Sequence, residues 1–225
     1  MKIGGVQWFS LLDYPGEMSV VLATIGCNMR CKYCHNPFLF DATPPAEYQE
    51  ENILAELKKR RKLATAVVIT GGEPTLQPDL IPFMKKIKAL GYKVKLDSNG
   101  TRPEILQQVL DANCADYIAM DVKAPLEKYQ SITQVPLNTD NIMKSITLIK
   151  QSGVQHEFRT TVYPELTQED FEKIRDLVKG ADNYYIQQFN PETSYQAKQV
   201  KPYTVEKLHK FKEITSPEVP TQVRA

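Results

Sequence analysis

The sequence predicts an α/β protein built on parallel strands, and two observations carry that reading. Six short β-branched runs alternate with helical patterns along the chain, and no low-complexity stretch, repeat or convincing linker interrupts them. Alternation of this regularity builds βαβ units, whose strands are parallel. Six such units form an open doubly wound sheet or a partial barrel, and periodicity does not choose between the two. A length of 225 residues is ample for one core, so 1–225 is read as a single domain.

The expected strands are Ser19–Ile25, Ala66–Thr70, Lys93–Asp97, Asp116–Val122, Glu157–Val162 and Tyr184–Gln188. The first helix is expected near Glu47–Arg61, with Ile53, Leu54 and Leu57 on one face. The second lies near Pro78–Leu90 and stops at Gly91, a residue suited to a helix C-terminus. A third starts after Thr101, with Pro103 in its first turn. Further helices are expected near Thr139–Gln151, Thr167–Val178 and Thr204–Ile214, and Pro164 and Pro191 fall in loops that follow strands.

Composition narrows the class. Hydrophobic residues make up 42% and charged residues 24%, as in a soluble globular protein. A formal net charge of +1 gives no global field toward nucleic acid or an anionic membrane, so neither is expected as a partner. The apolar stretch near the N-terminus is broken by Gln7 and Asp13 and lacks a small-residue cleavage site, so no signal peptide is read. The longest apolar runs, such as Val20–Ala23 and Ala66–Ile69, are too short to span a bilayer. A cytoplasmic location is the expectation.

Three of the four cysteines fall within eight residues, in Gly26-Cys27-Asn28-Met29-Arg30-Cys31-Lys32-Tyr33-Cys34-His35-Asn36-Pro37, directly after the first expected strand. Clustering of this kind points to metal or redox chemistry rather than a disulfide scaffold. Three thiolates spaced C-x3-C-x2-C can hold three irons of a cubane cluster and leave the fourth open for a ligand, whereas four ligands give closure and plain electron transfer. Zinc could take the three cysteines plus His35, but His35 adjoins Cys34, and structural zinc sites draw on two separated pairs. Cys114 reads as an ordinary buried thiol.

In α/β folds the chemistry lies at the C-terminal ends of the strands. There the chain places Gly71-Gly72-Glu73-Pro74, whose glycines let a backbone approach a ligand and which alone could be a mere turn. The next strand ends in Asp97-Ser98-Asn99-Gly100, which also reads as a turn. Asp121 and Lys123 stand at alternate positions and so share one face. Arg159 fits a carboxylate or ribose contact. Taken singly, each charged residue is as readily a surface group or structural ion pair.

The cysteine spacing, with an aromatic residue before its last cysteine, resembles the radical S-adenosylmethionine (SAM) superfamily. The resemblance implies a partial (β/α)6 TIM-like barrel and an oxidoreductase that holds a [4Fe–4S] cluster on Cys27, Cys31 and Cys34. SAM would chelate the open iron and be cleaved reductively to methionine and a 5′-deoxyadenosyl radical. Gly71, Gly72, Glu73 and Pro74 resemble the motif for the SAM amino group. By similarity to glycyl-radical-enzyme activases, Lys123 would bind the SAM carboxylate, and Asp97, Ser98, Asn99 and Asp121 resemble positions around SAM and a monovalent cation held by Asp97 and Asp121. Tyr33, Asn36, Arg159 and Gln188 complete the expected cofactor contacts; the segment Gln187-Gln188-Phe189-Asn190 lacks the histidine that such activases often carry there.

Two phrases narrow the reaction. Tyr33-Cys34-His35-Asn36-Pro37 resembles the glycyl-radical-enzyme activases, and Ser10-Leu11-Leu12-Asp13-Tyr14-Pro15-Gly16 resembles the opening of anaerobic ribonucleotide reductase activating proteins. The resemblance implies a glycyl radical enzyme as partner and a flavodoxin or ferredoxin as electron donor. Trp8, Tyr14 and Arg60–Lys62 are candidates for a docking surface, with core and solvent as equal alternatives. Two other readings stay open: a radical SAM enzyme acting on a small heterocycle, and an iron–sulfur electron carrier without SAM turnover.

Overall fold

The computed structural model describes residues 1–225. In chain order its regular elements are β1 (Ile3–Ser10), β2 (Ser19–Thr24), α1 (Glu50–Arg60), β3 (Ala66–Gly71), α2 (Leu80–Ala89), β4 (Lys93–Ser98), α3 (Pro103–Asp111) and β5 (Tyr117–Asp121). They continue with α4 (Tyr129–Thr133), α5 (Thr139–Gln151), β6 (Gln155–Val162), α6 (Gln168–Val178), β7 (Asn183–Gln188), α7 (Val205–Thr215) and β8 (Thr221–Arg224). The strands follow chain order in one mostly parallel eight-stranded sheet, so the α/β class expected from the sequence is the class observed. No helix is long and apolar enough to cross a membrane.

The chain forms two compact units that interleave in sequence. One comprises residues 1–28, 38–98 and 104–118; the other comprises 29–37, 99–103 and 119–225.

In the first unit β1 runs antiparallel to β2, from Ile3↔Thr24 to Ser10↔Ser19. β2 and β3 are parallel in register Ser19↔Ala66 to Thr24↔Gly71, and β3 pairs in parallel with β4. Both faces of β2 and β3 are covered, which explains their largely apolar, non-alternating runs. Val20, Leu22, Val67, Ile69, Val94 and Leu96 are fully buried. Val21, Ala66 and Val68 form a second cluster with Tyr14 and Tyr117. α1 contributes Ile53 and Leu57, and α2 contributes Leu80, Phe83, Met84 and Ile87, at helical spacing. Gly91 follows α2 with φ +87°, the left-handed stop that the sequence predicts.

In the second unit β6, β7 and β8 are parallel, with Glu157↔Asn183 through Val162↔Gln188 and Tyr184↔Thr221 through Gln187↔Arg224. The α5 helix buries Ile142, Ile146 and Ile149. Phe171 of α6 stacks on Phe211 of α7 with ring centroids 4.1 Å apart. Cys114, in the first unit, is the buried thiol expected, and burial pushes its pKa up.

Three elements escape the sequence pattern: β1, α4 and β8. β1 carries Gly4 and Gly5, poor strand formers; at Gly4 a Cβ would lie 2.6 Å from Leu39 and 2.7 Å from Ile25, so only glycine fits. α4 and β8, at five and four residues, are too short to show a period. α1 begins later than expected because a short 3-10 turn, Ala46–Tyr48, precedes it. Tyr14 is buried against Tyr117, ring centroids 5.6 Å apart, and so belongs to the core rather than a docking surface. Trp8 lies under the Arg60 guanidinium, 4.8 Å from ring centroid to Cζ.

α6 starts with a reciprocal cap: the Asp170 N–H donates to Thr167 Oγ1 and the Thr167 N–H donates to Asp170 Oδ2 at 2.7 Å. Thr167→Ala is expected to cost about 1 kcal/mol. Urea unfolding monitored by circular dichroism checks this, and an unchanged midpoint would rule it out.

Candidate active site

All four cysteines are free thiols. Cys27 belongs to the first unit, and Cys31 and Cys34 belong to the second. Before Cys27 the chain turns at Gly26, with φ +94°, and the Gly26 N–H donates to the Leu39 carbonyl at 2.7 Å. The Gly26 carbonyl accepts from the Glu73 N–H at 2.8 Å. The stretch from Cys31 to Cys34 is clamped from two sides. Arg30 and Lys32 N–H groups donate to the carbonyls of Thr133 and Ile132 at the end of α4, at 2.9 and 3.3 Å. Tyr195 and Gln196 N–H groups donate to the carbonyls of Cys34 and Lys32, at 2.9 and 3.0 Å. α4, which the sequence does not reveal, is thus one wall of the cysteine loop.

The donor set fits an iron–sulfur cluster, since three unoxidised thiols stand within eight residues and no disulfide consumes them. No group of three or more His, Cys, Asp or Glu side chains is gathered as a single metal ion requires, while a cubane takes its thiolates on separate irons. His35, the fourth ligand in the zinc reading, places Nδ1 2.7 Å from the Thr193 hydroxyl.

Gly71 and Gly72 serve a closer contact than expected. A Cβ on Gly72 would lie 2.1 Å from the Gly26 carbonyl oxygen, and one on Gly71 would lie 2.4 Å from the Thr24 nitrogen. The glycines therefore let this turn pack on the backbone that leads into Cys27, and the Gly72 N–H donates to the Thr24 carbonyl at 2.8 Å. The Glu73 side chain is buried and caps the next turn: Oε1 accepts from the Thr75 N–H at 3.1 Å, the Thr75 hydroxyl at 2.6 Å and the Ser98 hydroxyl at 3.0 Å. Pro74 opens that turn and is buried. Glu73 thereby ties the end of β3 to Ser98 at the end of β4.

Asp97, Ser98 and Asn99 are all buried. Asp97 Oδ2 accepts from the Thr70 hydroxyl at 3.2 Å, and Oδ1 lies 3.2 Å from Lys95 Nζ. Asn99 Oδ1 accepts from the N–H and hydroxyl of Thr101, at 3.0 and 2.7 Å, which is the turn that the Asn-Gly pair signals.

The second unit holds a compact charge group. Asp121 Oδ2 accepts from Lys123 Nζ at 2.8 Å, and Oδ1 accepts from Arg159 Nε at 2.9 Å. One carboxylate faces two cations, as the alternate spacing of 121 and 123 requires. Burial opposes the charge on Asp121, but Arg159 and Lys123 outweigh it and hold the carboxyl well below the usual range. Burial likewise opposes the Lys123 ammonium, and Asp121 outweighs it, so the Lys123 pKa is raised rather than lowered. The Tyr33 ring centroid lies 5.8 Å from Lys123 Nζ, and its buried hydroxyl has no hydrogen-bond partner.

Two expected contacts stand apart. Asn36 is exposed. Gln188 spends its Nε2 donor on the Tyr203 carbonyl at 2.6 Å and keeps a buried Oε1 without a hydrogen-bond partner. Lys95 joins these groups without having stood out in the sequence; its one signal there is its place two positions before a strand-end aspartate, on the same face.

The model of the radical SAM superfamily matches residues 21–178. A Methanocaldococcus jannaschii protein that carries the name glycyl-radical enzyme activating enzyme is 38% identical over 199 residues, 86% of this chain and 82% of the relative. The pyruvate formate-lyase-activating enzyme of Clostridium pasteurianum is 28% identical over 191 residues, 81% of this chain and 78% of that protein. Among solved structures, Streptococcus suis SuiB bound to precursor peptide SuiA shares the fold with a TM-score of 0.73 at 15% identity, over 91% of this chain and 48% of SuiB. The chain thus spans about half the length of SuiB. It belongs to the radical SAM superfamily and, within it, to the family of glycyl-radical-enzyme activating enzymes. That membership implies a [4Fe–4S] cluster and SAM as its cofactors, and the thiols described above fit the cluster.

Asp121→Asn leaves Lys123 and Arg159 largely buried without their carboxylate, at an expected cost of about 3 kcal/mol. Because the folded pKa of Asp121 lies below its unfolded value of about 4, its stabilisation is present above that value and fades as pH falls through and below it. Melting temperature across pH 2–7 should show a shallower acid limb in the variant. Parallel curves would contradict the assignment.

Proposed function

We propose that this chain generates a glycyl radical on a partner enzyme, and that the partner is an anaerobic ribonucleotide reductase. The single observation that carries the reading is the Lys123–Asp121–Arg159 group, which fixes a partly buried ammonium in the unit that also holds Cys31 and Cys34. A charged, desolvated ammonium is a strong anchor for a carboxylate. Of its three donors, one goes to Asp121, and the others suit the carboxylate of SAM.

Cluster and SAM, when bound, would supply one-electron reductive cleavage of SAM, fed by a flavodoxin or ferredoxin, and through it removal of a hydrogen atom from a glycine Cα–H of the partner. The chain's own residues anchor and orient. Cys27, Cys31 and Cys34 hold the cluster; Gly71–Pro74 present backbone polar groups to the SAM amino group; Lys123 takes its carboxylate. Ser98 and Asn99 support the rim, Arg159 acts on the ligand through Asp121, and Tyr33 covers the Lys123 ammonium. Asn36 and Gln188 are placed at its periphery, and the reaction is assigned to the cytoplasm.

The partner assignment is supported by the Ser10–Gly16 phrase, which forms a defined turn. Ser10 Oγ accepts from the N–H groups of Leu12 and Asp13 at 3.1 and 3.3 Å and donates to Asp13 Oδ2 at 2.5 Å. The names of the relatives favour an activase over an enzyme of small heterocycles or a simple electron carrier.

The test is anaerobic reconstitution with iron and sulfide, followed by SAM and a strong reductant. Wild type should form 5′-deoxyadenosine, and with anaerobic ribonucleotide reductase a glycyl radical signal in electron paramagnetic resonance. Cys31→Ala should lose cluster and turnover together, while Lys123→Ala keeps the cluster and binds SAM at least about tenfold more weakly. Turnover in Cys31→Ala would refute the cluster assignment, and 5′-deoxyadenosine without a radical on the reductase would refute the partner.

A further inference from the structure

We propose that the Lys95 ammonium is a built-in counter-ion for Asp97, one of the two carboxylates that the resemblance assigns to an exchangeable monovalent cation. Lys95 is 2% exposed, unusual for a lysine. Its Nζ lies 3.2 Å from Asp97 Oδ1, donates to the Asp13 carbonyl at 2.7 Å and stands 5.6 Å from the centroid of the Tyr117 ring. Asp97 Oδ2 takes the Thr70 hydroxyl. A buried ammonium and a buried carboxylate each carry a large desolvation cost unless paired, so the two are mutually dependent. An ammonium matches potassium in charge and nearly in size, and a side chain held by a carbonyl, a carboxylate and an aromatic face does not exchange with solvent.

The other carboxylate named for the cation, Asp121, already faces Lys123 and Arg159. Both acidic groups therefore meet cations that belong to the chain, so neither carboxylate requires an added ion to balance its charge. The fixed charge has a second effect. Lys95 reaches from β4 to the Ser10–Gly16 turn through the Asp13 carbonyl, so one ammonium braces that turn and the carboxylate one residue before Ser98. The cation expectation comes from the activase reading, but the charge arrangement does not depend on it, and the decisive measurement uses the chain without cluster or SAM.

Melting temperatures of the cluster-free chain are compared in potassium, sodium, ammonium and choline chloride at equal ionic strength. Wild type should melt at one temperature in all four, because no site awaits an ion. Lys95→Met should melt lower in choline and recover saturably by about 2–4 °C in potassium or ammonium, the response of a site that binds an ion only when folded. Lys95→Arg, which keeps the charge, should stay insensitive to the ion. A saturable potassium effect on wild type overturns the proposal, as does a folded Lys95→Met variant that gains no ion response. If Lys95→Met does not fold, the wild-type comparison decides alone. In the reconstituted protein, SAM affinity should also be equal in potassium and choline. Loss of SAM binding altogether would count against the activase reading and leave the melting result standing.

Discussion

The closest constraint in the first unit is a backbone contact with no room for a side chain. The turn after β3 lies on the end of β2, and a single Cβ at Gly72 would sit 2.1 Å from the Gly26 carbonyl oxygen. Two hydrogen bonds, from Gly72 to Thr24 and from Glu73 to Gly26, replace the side-chain packing that glycine forgoes. They fix the residue from which Cys27 departs. The same turn hands its carboxylate, Glu73, to Thr75 and Ser98, so the ends of β2, β3 and β4 are set by one short segment. What reads in sequence as a ligand-binding motif is thus first a piece of scaffold, and the contact with SAM proposed for it depends on that scaffold being rigid.

Charge is the second organising theme. Each unit pairs a carboxylate near the C-terminal end of a strand with basic groups: Lys95 with Asp97 in one, Lys123 and Arg159 with Asp121 in the other. Such groups add little net stability, because desolvation offsets attraction. Their value lies in holding fixed charge at a chosen place. A charge already fixed in place needs no reorganisation when a ligand group of opposite charge arrives.

The strands were legible because both their faces are buried, so Ser19–Thr24 and Ala66–Gly71 appear as unbroken apolar runs. The α5 helix was legible to the residue, Thr139–Gln151, since Asn138 caps it and its apolar residues keep helical spacing. β1 was not, because its Gly4 answers to Leu39 and Ile25, residues remote in sequence. α4 is too short to show a period, although it walls the cysteine loop. At the site, the cysteine spacing is local and could be read directly. The roles of Lys95 and Glu73 depend on partners in other segments, and so does the burial of Tyr14 under Tyr117. A sequence shows which residues can do chemistry, while the partners that occupy them are a property of the fold.

The central claim is that three thiolates hold a cluster whose remaining iron takes SAM. Electron–nuclear double resonance on the reduced, reconstituted protein addresses it directly, with SAM labelled by ¹⁷O in its carboxylate and ¹⁵N in its amine. Coupling of both labels to the cluster, present in wild type and weakened for the carboxylate in Lys123→Ala, is the expected result. A reducible cluster that shows no coupling to either label would contradict the account.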